Sequence, residues 1–123
     1  MDIKKLSLEQ QQAVLDLMVL AMYSDGHLTS AEDERVTRLL QSMGHASEYE
    51  RTRQYDAAVT RIRQQVQKPE DAQTHAARLS QRFSSREQRV GVYQLLEEIL
   101  ASDEGVTPPE NSFLSTVRDA FHL

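Results

Sequence analysis

The chain contains no cysteine, and only four glycines, three prolines and seven aromatic residues occur among its 123 positions. Without cysteine there is no disulfide, no zinc-thiolate site and no thiol nucleophile. Four glycines, at 26, 44, 91 and 105, are too scattered to build a phosphate-cradling loop or a dinucleotide fingerprint. So little turn material also argues against a sheet. No apolar run approaches the roughly 20 residues a membrane span needs. The opening Met1-Asp2-Ile3-Lys4-Lys5 leads into a Gln-rich amphipathic stretch rather than the apolar core of a signal peptide, so a cytoplasmic soluble protein is expected.

What is abundant is Leu, Ala, Gln, Glu and Arg, a helix-favouring mixture. The length fits one domain, residues 1–123, large enough to bury a core. Hydroxyl residues followed three positions later by Gln or Glu occur at Ser7/Gln10, Thr29/Glu32, Ser47/Glu50, Ser84/Glu87 and Thr107/Glu110. Each pair fits a capping box, so helices are expected to start near 8, 30, 48, 85 and 108. Pro69 is placed to open another, and Gly44 to close one. Tyr55, Val59, Ile62 and Val66 make one apolar stripe; Ala72, Ala76, Leu79 and Phe83 make another. The expected fold is an all-α helical bundle of six to seven helices. Its first and fifth helices, apolar around much of their circumference, are expected to be the central pair, with Met18 and Met22 in the core.

The bundle carries an internal duplication. Ser24-Asp25-Gly26-His27-Leu28-Thr29-Ser30-Ala31-Glu32 returns without a gap 78 positions later as Ser102-Asp103-Glu104-Gly105-Val106-Thr107-Pro108-Pro109-Glu110. Before it, Val14, Leu17, Met18, Ala21 and Met22 map onto Val92, Leu95, Leu96, Ile99 and Leu100; after it, Val36, Leu39 and Met43 map onto Leu114, Val117 and Phe121. Two helix, acidic loop, helix units result, about 8–44 and 85–123. The glycine slips one place in the second copy.

Asp25 and Asp103 stand where a helix is expected to end, and a negative charge there is opposed by the exposed carbonyls. Local amides offer one compensation. A divalent cation offers another, held by Asp25 with Glu32, by Asp103 with Glu110, or by all four if the loops meet. Oxygen ligands suit calcium, magnesium or manganese, with zinc the remaining candidate. The loop is not an EF-hand, because position twelve is Val36 counted from Asp25 and Leu114 counted from Asp103. His27 is a further candidate ligand, but its counterpart is Gly105. Glu32 and Glu110 also read as plain caps, which leaves open a purely structural scaffold or dimerisation domain with no metal site.

The segment from Leu17 to Glu32, repeated more loosely by residues 93 to 121, resembles the TerB-like family of tellurite resistance proteins. The same kind of domain stands at the N-terminus of the membrane-anchored co-chaperone DjlA. The resemblance implies divalent metal at such acidic positions and a role linked to tellurite or other stress. A non-enzymatic interaction module with protein partners, in a stress-response or membrane-associated complex, is the expected function, and a homodimer belongs to the scaffold alternative. Charge is uneven: residues 1 to 50 hold nine acids and four bases, 91 to 123 hold six and one, and 51 to 90 hold nine bases and four acids. Acidic ends, and basic residues without interleaved aromatics, argue against nucleic acid as a partner. No nucleophile elbow, His-Glu-x-x-His or Glu-x-x-His motif supports catalysis.

Overall fold

Ten consecutive residues, Ala13 to Met22, are buried, and only Asp16 among them is polar. A helix apolar on every side has to be surrounded. In the computed structural model, which describes residues 3–24, 34–100 and 108–123 (without the side chains at 23, 24, 35, 69, 70 and 108–110), that helix is α1, Leu8–Ser24. Around it pack α2 (Glu34–Ser42), α3 (Glu48–Gln65), α4 (Pro69–Ser80) and α6 (Pro108–Ala120). The remaining helix, α5 (Arg86–Leu100), packs mainly on α6 and α2. A 3-10 turn at Ile3–Lys5 precedes α1, and the described residues contain six α-helices and no strand.

The position of α5 corrects the expected central pair. Val92, Leu96, Ile99 and Leu100 are buried, but Gln94, Glu97 and Glu98 are exposed. That polar stripe needs water, so α5 lies on the outside while α1, with no such stripe from Ala13 to Met22, takes the middle. The stripe expected on α3 is also adjusted: Tyr55, Ala58 and Ile62 are buried and Val59 only half so. On α4 the expected set holds, with Ala72, Ala76, Leu79 and Phe83 all buried. Met18 and Met22 are fully buried. Phe83, just past α4, meets Phe121, just past α6, edge to face at 5.9 Å between ring centres.

Three helices start alike. Ser7 Oγ accepts from the Gln10 amide at 3.1 Å and Gln10 Oε1 accepts from the Ser7 amide at 3.2 Å, the full reciprocal box. Ser47 Oγ caps the Glu50 amide at 3.1 Å, while the Glu50 carboxylate turns to His45 Nδ1 at 3.5 Å. At α5 the cap is Ser85, not Ser84: Ser85 Oγ accepts from the Gln88 amide at 3.1 Å. Ser85 is followed by its own Gln three residues on, and the carbonyl of Ser84 is taken by Arg89 Nη2 at 3.0 Å. The residue four past each serine reaches back over the entering chain. Gln11 donates to the Leu6 carbonyl, Arg51 to that of Ala46 and Arg89 to that of Phe83. The pairs expected at Thr29/Glu32 and Thr107/Glu110 lie outside the described residues, save for the backbone of Glu110.

Two helices also end alike. After α2, Gly44 at φ +100° lets the His45 amide reach the Leu40 carbonyl and the Gly44 amide that of Gln41. After α6, His122 at φ +59° does the same, the Leu123 amide reaching Arg118 and the His122 amide Asp119. Both are Schellman turns, which satisfy carbonyls the helix leaves over.

Candidate functional site

Asp25, Glu32 and Asp103 lie outside the described residues, as does His27, and Glu110 is described only as backbone near the start of α6. Among the described residues no group of three or more His, Asp or Glu is placed to hold a metal. The helices leading into the acidic segments are described, and they share a lack. An arginine stands in the last turn of α3 (Arg63), α4 (Arg78) and α6 (Arg118), where it offsets the helix dipole. The last turns of α1 and α5 carry no basic residue. The last turn of α2 lacks one too, but closes on Gly44.

A second constellation lies where α1, α3 and α4 meet. Asp16, only 3% exposed, projects from the apolar stretch of α1 toward α3. There Arg61 grips it with two prongs, Nη2 to Oδ1 at 2.8 Å and Nε to Oδ2 at 3.1 Å. A carboxylate this buried is tolerable only with such a partner. Beside the pair is His75 of α4, 7% exposed, whose Nδ1 is buried without a hydrogen-bond partner among the described residues. Burial, and then the nearby Arg78, push this imidazole below its ordinary value near 6.5; Asp16 pulls the other way and Arg82 adds to the depression. The imidazole is therefore neutral near pH 7.

These groups line a cleft of about 320 Å³, with Gln12 on the α1 side, Gln64 and Gln65 on the α3 side and Arg78 and Arg82 along its α4 edge. In the sequence His75 merely flanks the apolar stripe of α4, and Asp16 and Arg61 stand in no motif. One local signal existed, a single acid inside an otherwise apolar run. Its partner is 45 residues away, beyond any periodicity.

No helix among the described residues is long and apolar enough to cross a membrane. Comparison with curated proteins and with solved structures finds no match. The family model described as tellurite resistance protein TerB matches residues 11–123, from the first turns of α1 through α6. Helical throughout its described elements and matched over nearly its whole length, the chain belongs to the TerB family.

Proposed function

We propose that this TerB-family module is a sensor or interaction domain that takes up a divalent cation on Asp25, Glu32, Asp103 and Glu110 and works through protein partners in a cytoplasmic stress-response complex, tellurite among the stresses. One observation carries the reading: an offset of 78 residues relates both ends of the two units as well as their acidic segments. Ser7 and Ser85 cap with Gln10 and Gln88, and the turns at Gly44 and His122 use the same pair of hydrogen bonds. Gln10 Nε2 also approaches Gln88 Oε1 at 3.5 Å, which places the starts of α1 and α5 side by side.

The packing supports a pooled site. In each unit the helix that follows the acidic segment packs on the opening helix of the other, α2 on α5 and α6 on α1. The last turns of α1 and α5 lack the base that would offset their carbonyls, so the aspartates beyond them have no cation from their own helix. Four pooled carboxylates repel one another until a cation neutralises them.

A structural scaffold is the second reading, favoured by the capping spacing of Thr29 with Glu32 and Thr107 with Glu110, which needs no metal. Titration of metal-stripped protein with calcium, magnesium, manganese and zinc, followed by amide shifts, separates the two. The cation reading expects changes concentrated at residues 24–32 and 102–110 and lost in Asp25→Asn/Asp103→Asn. Equal affinity in that double variant would sink it in favour of the scaffold.

A further inference from the structure

We propose that the cleft between α1, α3 and α4 binds a phosphate-bearing anion, with Arg78 and Arg82 as its principal ligands. The distribution of charge is the starting point. Among the described residues Asp16 is the only carboxylate lining the cleft, and it is already engaged by Arg61. Among the described residues the Arg78 side chain makes a single long hydrogen bond, 3.4 Å from Nη1 to the neutral Oε1 of Gln65. The Arg82 side chain makes no ion pair or hydrogen bond among the described residues; its backbone carbonyl accepts from Gln10 and its amide donates to the Leu79 carbonyl. Two positive charges four positions apart thus face one concavity with no unengaged counter-charge among the described residues. The position of Arg78 in the last turn of α4 explains one of them through the helix dipole. It leaves Arg82 and the cleft unexplained.

Shape and chemistry agree on the class of ligand. A cleft of about 320 Å³ is at the small end of the range for bound small molecules. Guanidinium groups present paired donors that match phosphate oxygens, and the amides of Gln12, Gln64 and Gln65 around the rim add neutral donors. His75 on the cleft wall supplies an internal reporter. An anion held beside it would favour the imidazolium and raise the depressed pKa. This inference is independent of the cation reading, since it involves other residues and a ligand of opposite charge.

The test is an amide titration of the whole chain with inorganic pyrophosphate, against sodium chloride at matched ionic strength, and in parallel with phosphatidylglycerol vesicles. Saturable shifts are expected at residues 61–65 and 75–82, with the His75 titration moving to higher pH. Arg78→Gln/Arg82→Gln should weaken binding by at least about tenfold. Both side chains are exposed, so the variant should keep the amide spectrum of a folded protein. A response to soluble pyrophosphate identifies a soluble phosphate compound; a response at the same residues to vesicles alone identifies a lipid headgroup. Shifts reproduced by sodium chloride, shifts that survive the double variant, or no response in either arm would overturn the proposal.

Discussion

Asp16 is an acid enclosed by the most apolar stretch of the chain, and its cost is offset by one neighbour. Removing that neighbour strands the charge. Arg61→Met is expected to destabilise by about 2–4 kcal/mol, somewhat below a fully buried pair because Arg61 keeps a third of its side chain in water. Asp16→Leu/Arg61→Met should cost at least about 1 kcal/mol less than Arg61→Met alone, because no unpaired charge is left behind. Denaturant unfolding of the two variants and the parent checks both figures; a double variant as unstable as the single one would mean that packing, not charge, holds this site together. His75 makes a second prediction through pH. Its folded pKa is lowered, so the unfolded chain binds more protons once the pH falls below about 6.5. The contribution of His75 to stability is therefore complete above that value and lost as the pH drops toward the folded pKa. His75→Gln should flatten the fall in stability just below pH 6.5, measured by thermal melts across that range.

The helices show how local chemistry decides an end. Ser84 and Ser85 both precede a residue able to complete a capping box, Glu87 and Gln88 respectively, and one position separates the readings. Ser85 caps the helix, so Ser85→Ala should cost about 1 kcal/mol and Ser84→Ala no more than about 0.5 kcal/mol, by equilibrium unfolding. A larger loss at Ser84 would move the cap back to it. The starts of α1, α3 and α4 were legible from Ser7, Ser47 and Pro69, because caps are sequence-local. The start of α5 was legible only to within one residue, since two overlapping boxes compete. The clasp by Gln11, Arg51 and Arg89 was not legible: a glutamine or arginine four residues past a serine has no distinctive composition. Nor was the Asp16, Arg61, His75 cleft, whose members come from three helices and share no spacing. The acidic segments are the converse case, conspicuous as sequence and outside the described residues.

At the scale of the molecule, the all-helical class followed from composition and period, while the layering did not. Apolar content alone made α1 and α5 look equivalent; what separates them is the exposed stripe of Gln94, Glu97 and Glu98. Centrality has a measurable signature in hydrogen exchange. Amides between Ala13 and Met22 should exchange only through global unfolding, and those of the short α2 and the peripheral α5 earlier, through local opening. Protection in α5 equal to that in α1 would contradict the layering. The enclosure of α1 also governs the order in which the molecule can be made. It leaves the ribosome ahead of α2, α3, α4 and α6, and α6 begins only at residue 108, long after α1 has ended at residue 24. Until α6 has emerged, therefore, this apolar surface has no permanent shelter, and its survival depends on provisional contacts with α2 and α3 or on cellular factors that hold nascent apolar helices.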